Sequence, residues 1–306
     1  MTAASIPTFS SLAPLKGVRV LTLALNLPGP AAVMRLQAMG AKCTKLEPLA
    51  PSPLRTADPM GIYKPAAYDV MHAGVKVLQA DLKSERGQKV LHKQLAITDV
   101  LITSFRPSAL EKLGLAWTAL HQRYPALCVV RIVGAPGARA EEAGHDLTYQ
   151  ADSGLLNGLE MPASLYADMG GSLLTTEAVL QALLVRQRPG KSQGKGVFRE
   201  VALSEASSYQ ALPRTWGLTT AHGDVGGAHA GYKIYPCKNG RVAVAALEPH
   251  FAARLCEAAG LPQQAAKLMH KRSTHDSIAQ FLATQTRAQL NKLANSKDIP
   301  MHTLPR

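Results

Sequence analysis

The sequence contains only four cysteines among 306 residues, and no two of them form a C-x-x-C pair. A zinc or redox site would need clustered cysteine and histidine ligands, so we predict neither a metal nor a redox cofactor. Cys43 and Cys128 lie in apolar, strand-like runs, which favours buried free thiols in a reducing cytosol over disulfides. The cysteines are Cys43, Cys128, Cys237 and Cys256.

Long apolar runs are also absent from the sequence. No stretch of about eighteen apolar residues occurs, and a bilayer-spanning helix needs roughly that length, so we expect no membrane segment. The N-terminal segment Met1–Ser11 lacks a basic region followed by an apolar stretch, and it therefore does not resemble a secretory signal. These two observations predict a cytoplasmic protein.

Aromatic residues make up only 5% of the chain, whereas 34 basic residues against 21 acidic ones give a net charge of +13. Basic surfaces gain affinity for nucleic acid by releasing counterions. Here the basic residues are dispersed along the chain, and few aromatic side chains are available to stack on bases. We therefore predict no nucleic-acid partner. A small polyanion such as a nucleotide or coenzyme A would need only a few of these basic residues.

Short apolar runs alternate with helical patterns over the first two thirds of the chain. This alternation predicts an α/β fold with a Rossmann-like, mostly parallel sheet and right-handed crossovers. The predicted strands are 18–23, 41–46, 77–82, 99–103, 127–133 and 198–203. The predicted helices are 31–39, 87–95, 108–113 and 176–188.

A change in composition to Gly, Ala and His over 219–231 predicts a linker. It would join a large domain, 1–218, to a smaller α+β domain, 232–306. The small domain should begin with a hairpin over 232–246, because two apolar runs flank the turn Lys238-Asn239-Gly240. Helices are predicted to follow at 250–259, 277–285 and 287–296.

The first strand, turn and helix, followed by a strand that ends at Glu47, have the spacing of a dinucleotide-binding unit. The turn, however, contains Pro28 and Pro30 instead of the glycines of G-x-G-x-x-G. Each proline removes a backbone N–H donor where a pyrophosphate would bind, so we do not predict NAD(P) binding.

A set of short segments, in order along the chain, resembles the family III CoA-transferases and their α-methylacyl-CoA racemase relatives. The resemblance implies that a large domain binds coenzyme A as part of an acyl-CoA thioester substrate. It also implies an interlocked homodimer with the acyl group at a domain interface. The segments are 14–21, 28–30, 39–41, 45–48, 80–83, 99–102, 105–107, 113–115, 144–151, 153–154, 167–171 and 247–251.

Within these segments, the elements 144–146, 167–171 and 248–251 resemble the racemase branch more than the transferases. There, a histidine and an aspartate act as two bases, and these roles transfer to His145 and Asp168. Glu248 matches the acid that orients the histidine, and Asp146 is a second possible partner for it. In the transferase branch, the carboxylate at the position of Asp168 attacks the thioester.

The resemblance also implies contacts to coenzyme A. Arg106 matches an arginine that lies near the CoA of relatives, while Arg55 and Lys76 are equally well explained as phosphate contacts or as solvated surface charges. The basic stretch that relatives carry before the third strand is reduced here to Lys76. We also expect the family's C-terminal return segment to be missing, so a binding protein without turnover remains an alternative.

Inversion of a stereocentre beside a thioester needs one base on each face of a planar enolate. A histidine can serve at neutral pH, but an aspartate can serve only if burial raises its pKa. We expect Met169-Gly170-Gly171 to lead flexibly into a helix that begins near Ser172, where free N–H groups could hold the enolate oxygen.

Simpler interpretations remain for the same residues. Asp168 could cap that helix, His145 could lie in an exposed loop or start a helix, and Glu248 could be an acid favoured by a helix N-terminus. Three functions are therefore predicted in descending order. They are a racemase or epimerase of a 2-methyl-branched acyl-CoA, a CoA-transferase that acts through an aspartyl-CoA intermediate, and a non-catalytic CoA-ester binder.

Overall fold

The structure is a computed structural model that describes residues 12–190 and 193–306. The segment Met1–Ser11, on which the prediction about a secretory signal rests, lies outside the described residues. Residues 191 and 192 also lie outside them. Within the described ranges, no helix is both long and apolar enough to cross a bilayer. All four cysteines are buried free thiols.

The strands are short and begin near Arg19. They are β1 (Arg19–Thr22), β2 (Lys42–Glu47), β3 (Lys76–Gln79), β4 (Val100–Thr103), β5 (Cys128–Val133), β6 (Phe198–Ala202), β7 (Tyr232–Cys237), β8 (Gly240–Ala245) and β9 (Met301–Leu304).

Helices separate most of these strands. They are α1 (Pro28–Ala38), α2 (Pro59–Tyr63), α3 (Pro65–Met71), α4 (Glu85–Leu95), α5 (Pro107–Lys112), α6 (Trp117–Arg123), α7 (Asp146–Asp152), α8 (Tyr166–Gln187), α9 (Leu203–Gln210), α10 (Leu212–Thr215), α11 (Pro249–Ala258), α12 (Arg272–Thr284) and α13 (Arg287–Lys297). Short 3₁₀ helices occupy Gly137–Glu141, Asp224–Gly226 and Gln263–Lys267.

The first six strands form one parallel sheet in the order β3-β2-β1-β4-β5-β6, so the predicted Rossmann-like α/β class is confirmed. Side chains alternate across it: Val20 packs into the core beneath α1 and α8, whereas Leu21 packs into the core on the other face. Burial on both faces explains why the strands read as continuous apolar runs instead of alternating ones.

The chain divides into two compact units, Met1–Ala211 and Leu212–Arg306. The predicted linker, 219–231, falls within the second unit, where part of it forms the 3₁₀ helix Asp224–Gly226. In this unit β7, β8 and β9 form an antiparallel sheet, and the predicted hairpin is present. β9 pairs with β8, with Thr303 opposite Val242. This strand was not predicted, because its residues are mostly half-exposed and do not form an apolar run.

Candidate active site

A cleft of about 160 Å³ opens at the carboxyl ends of the central strands of the large sheet. The strand order reverses between β1 and β4, and parallel α/β sheets bind ligands at such a reversal, outside the carboxyl ends of the strands. The residues that line this cleft come from the first residue of α1, the segment after β4, the end of β5, the chain before α7, α7 itself and the start of α9. They include Pro28, Phe105, Arg106, Val133, Gly144 and Tyr149.

A second, larger cavity of about 540 Å³ lies at the ends of β2 and β3. Phe105 lines both cavities, so they are neighbours along the same edge of the sheet. Each contains one basic residue, Arg106 in the smaller cavity and Lys83 in the larger one. The backbone N–H of Lys83 donates to Asp81 Oδ1 over 2.9 Å, which fixes the turn that carries this lysine. Each cavity also has one acidic lining residue, Glu142 in the smaller and Asp81 in the larger, so the lining of this edge is of mixed charge.

His145 occupies the N-cap position of α7, beside the smaller cleft that the preceding Gly144 lines. Its backbone N–H donates to Thr148 Oγ1 over 3.1 Å, and the Thr148 hydroxyl donates back to its carbonyl over 2.7 Å. The side chain is exposed. The backbone is thus held firmly while the ring stays available to a ligand.

Asp168 lies in the first turn of α8, which begins at Tyr166 and not near Ser172. The N-cap residue is Leu165, so the capping interpretation of Asp168 is wrong. The expected flexible approach is wrong as well, because Gly170 and Gly171 lie inside the helix. Their N–H groups follow that of Met169, which already bonds to the Leu165 carbonyl over 2.9 Å, so they are not free to hold an enolate oxygen.

The glycine pair is explained by packing. A Cβ atom on Gly170 would lie 2.2 Å from Gln210 Nε2, and one on Gly171 would lie 2.3 Å from Leu203 Cδ2. Both neighbours belong to α9, so the two glycines allow α8 and α9 to approach closely. Each costs helix stability of about 1 kcal/mol relative to alanine, which the close contact must offset.

The Asp168 side chain is only 8% exposed. Burial raises the pKa of this carboxyl from its ordinary value of 3.8 to about 7, and the neighbouring charge of Asp146 adds to the increase. The positive end of a helix dipole favours an ionised acid in this position, so burial outweighs that effect here. Asp168 can consequently both accept and donate a proton near neutral pH.

Asp146, the first residue of α7, connects the two helix starts. Its Oδ1 atom accepts the backbone N–H of Asp168 over 3.0 Å, and its Oδ2 atom accepts the side-chain amide of Gln150. The same amide donates to the carbonyl of Ser164, just before α8, over 3.3 Å. Asp146, which follows His145 in the chain, is therefore hydrogen-bonded through its side chain to the backbone of Asp168.

The remaining predicted residues are more widely placed. Arg55 is exposed and pairs with Asp69 over 2.6 Å. Lys76 begins the edge strand β3, level with Leu21 of β1. Glu248 belongs to the second unit, where it is the exposed N-cap residue of α11 without a side-chain capping bond. The roles predicted for these three residues stay predictions.

Sequence reasoning missed Tyr149 as a site residue. A Cβ atom on Gly134 or Gly144 would lie 2.2 Å or 2.4 Å from its hydroxyl oxygen, so both glycines make room for this ring beside the cleft. Burial raises the pKa of the Tyr149 hydroxyl, and the Asp168 charge contributes. The two glycines were the available signal, but their meaning depends on a contact that the sequence does not show.

A buried group of polar and charged residues surrounds Lys45. The sequence analysis did not predict this group. The Lys45 ammonium pairs with Asp58 and, over 3.3 Å, with Glu47 Oε2. It also lies 3.0 Å from His72 Nε2, and burial followed by the Lys45 charge lowers the pKa of that imidazole. Tyr68 donates to Glu47 Oε2 over 3.1 Å. This group, called the Lys45 network below, fixes the segment between β2 and α3.

Comparison with known proteins gives one consistent family. The sequence model of the family described as CoA-transferase family III matches residues 15–305. An alpha-methylacyl-CoA racemase of Mus musculus is 29% identical over 93% of this chain and 76% of its own length. A succinyl-CoA:glutarate CoA-transferase, also of Mus musculus, is 28% identical over 83% of this chain and 61% of its own length.

Solved structures share the fold. A CAIB/BAIF family protein from Brucella suis has a TM-score of 0.76 at 24% identity, covering 96% of this chain and 85% of that one. A hypothetical protein from Mycobacterium tuberculosis has a TM-score of 0.78 at 22% identity, covering 95% and 85%. At these identities the structural likeness concerns the fold.

Proposed function

Because this chain belongs to CoA-transferase family III, we propose that it is an acyl-CoA racemase or epimerase that inverts the α-carbon of a 2-methyl-branched acyl-CoA thioester. The observation that carries this proposal is the buried Asp168 carboxyl with a pKa of about 7, linked through Asp146 to His145 at the rim of the cleft. A carboxyl that titrates near neutral pH suits proton transfer in both directions.

The proposed reaction uses two opposed bases. In one direction the Asp168 carboxylate removes the α-proton, the C–H electron pair moves into the thioester to form an enolate, and the His145 imidazolium donates a proton to the opposite face. The product has the inverted configuration at its α-carbon, and Asp168 holds the proton it removed. Proton exchange with solvent then returns Asp168 to the carboxylate and His145 to the imidazolium. The reverse direction exchanges the two roles. Neither direction consumes an acceptor molecule.

Coenzyme A would lie along the carboxyl edge of the sheet. The 540 Å³ cavity is large enough for part of the nucleotide end, and Lys83 at its wall supplies a charge for phosphate. The thioester end would enter the 160 Å³ cleft, where Arg106 and Tyr149 line the wall and Phe105 separates the two parts. Arg55 and Lys76 remain further candidates for phosphate contacts, and Glu248 for orienting His145.

A family III CoA-transferase is the second candidate, since curated relatives of nearly equal identity carry both kinds of name. In that reaction the ionised Asp168 would attack the thioester carbonyl and release CoA thiolate, giving an aspartyl anhydride. CoA thiolate would then form an aspartyl-CoA thioester and free the first acid, and a second carboxylate would take up the CoA. This path needs an acceptor acid, whereas racemisation does not.

The experiment that separates these functions is α-deuterium exchange. The protein is incubated in deuterated water with a panel of 2-methyl-branched acyl-CoAs and no acceptor acid, and mass spectrometry measures deuterium at the α-carbon. We expect exchange with loss of optical purity. Exchange absent across the panel, together with hydroxylamine trapping of an acyl-enzyme, would instead identify a transferase. Binding without either reaction would identify a non-catalytic CoA-ester binder.

A further inference from the structure

Two polar side chains form a pair at the start of α1. Asn26 lies just before the helix, and Tyr63 is the last residue of α2. The Tyr63 hydroxyl donates a hydrogen bond to Asn26 Oδ1. Asn26 has a φ of 68°, in the left-handed region that asparagine tolerates better than most residues but that still carries strain.

One buried carboxylate holds both members of this pair in place. Asp58 Oδ1 accepts the backbone N–H of Asn26 over 3.0 Å and that of Met60, in the first turn of α2, over 2.9 Å. Asp58 Oδ2 is paired with the Lys45 ammonium, so these are charge-assisted bonds in a fully buried setting. The strained conformation of Asn26 is thus fixed by the Lys45 network, as expected where strain is retained for function.

The pair lies beside Asp168. The first residue of α1, Pro28, packs against the first turns of α8, since a Cβ atom on Gly171 would lie 4.0 Å from Pro28 Cβ. In keeping with this proximity, the pKa of the Tyr63 hydroxyl is raised by burial, by Asp58 and by the charge of Asp168. Pro28 also lines the smaller cleft, so Asn26 lies two residues before one of the residues that line it.

The pair leaves hydrogen-bonding capacity unused on this side. Asn26 is half-buried, and within the described part of the first unit its side-chain N–H groups have no acceptor. A hydrocarbon acyl chain placed here would desolvate these donors without replacing the lost bond to water, whereas an oxygen atom would accept from them. The charges of Asp58 and Asp168, which raise the pKa of the Tyr63 hydroxyl, disfavour another negative charge here, so a neutral oxygen fits better than a carboxylate.

We propose that Asn26 and Tyr63 form a specificity site for a hydroxyl group on the acyl chain of the substrate. The inference rests on the proposed acyl-CoA function and goes beyond it by naming the chemical class of the acyl group. It assigns to the Lys45 network the task of positioning that site.

The test measures binding and not turnover. Dissociation constants are determined by calorimetry for 3-hydroxybutyryl-CoA and butyryl-CoA, which differ only by the hydroxyl. We expect the hydroxyl to improve affinity about tenfold in the unaltered protein, as one well-made hydrogen bond does. Tyr63→Phe and Asn26→Gly, which keeps a residue suited to positive φ, should each reduce this preference to about twofold or less while butyryl-CoA binds as before.

Tyr124→Phe is the matched control. It removes a hydroxyl from the core on the face of the sheet away from α8, and it should leave the preference unchanged. Equal affinity for both thioesters in the unaltered protein would overturn the specificity site and leave the proposed function standing. A preference that survives both variants would also overturn it. Failure to bind either thioester would overturn the proposed function together with this inference.

Discussion

Two groups of buried carboxylates lie in the first unit, and only one of them contains a cation. Glu47 and Asp58, at most 1% exposed, surround the fully buried Lys45 ammonium. Asp146 and Asp168, 4% and 8% exposed, face each other's charge. Among the described residues of that unit, no lysine or arginine forms an ion pair with either. The ion pairs of the first group hold structure, whereas Asp168 in the second group, with a pKa raised to about 7, can exchange a proton near neutral pH.

Replacing the uncompensated acid should have the largest effect. We expect Asp168→Asn to lower α-deuterium exchange by about 10³- to 10⁴-fold, because an amide cannot accept the α-proton. The affinity for an acyl-CoA should change little, since the amide has nearly the same shape. Asp152→Asn, at an exposed position in α7, is the control and should retain full exchange. Full exchange by Asp168→Asn would remove this residue from the proposed mechanism.

Removing the cation of the other group should instead affect folding. Lys45→Met leaves Glu47 and Asp58 buried without a counter-charge, so the free energy of unfolding should fall by about 3 to 5 kcal/mol. Urea unfolding measures the change. Lys42→Met, three residues earlier on the exposed side of β2, should shift it by no more than about 0.5 kcal/mol. If Lys45→Met lowered the free energy of unfolding no more than Lys42→Met does, the structural role of the Lys45 network would be contradicted.

The two groups should also differ in the sign of their effect on stability. The folded pKa of Asp168 lies above the unfolded value, so the folded state binds more protons between about pH 4 and 7, and ionisation at higher pH destabilises it. Asp168→Asn removes that cost and should stabilise the protein by about 2 to 4 kcal/mol at pH 8. The gain should vanish near pH 4. A destabilised variant at pH 8 would mean that the carboxylate is better solvated than its burial indicates.

The contrast between these groups was only partly readable from the sequence. The α/β class was predictable because strands buried on both faces are continuous apolar runs. Lys45 also lies in such a run, but its partner Asp58 is 13 positions away and its charge balance depends on the fold. The glycines of α8 resembled a flexible loop because their reason, contact with Leu203 and Gln210, is non-local. His145 and Asp168 were predicted from family resemblance, whereas the link through Asp146 required coordinates.

The smallest expected effect tests the pairing of Asp146 with Asp168 directly. A two-base racemase works with one proton shared between its bases, so exchange should fall on both sides of an optimum, with apparent pKa values that belong to the pair. Because the pKa of Asp168 is about 7, the acid limb should lie near neutral pH and not near pH 4.

We therefore expect exchange at pH 5 to be about tenfold or more below its maximum. Asp146→Asn keeps an oxygen for the Asp168 N–H but removes the neighbouring charge that helps to raise the pKa, so the acid limb should move to lower pH. Profiles measured from pH 5 to 9 as kcat/KM, with Asp152→Asn as control, would detect this shift. An acid limb that stays in place would show that burial alone holds the proton on Asp168, and that Asp146 serves only to position the helix.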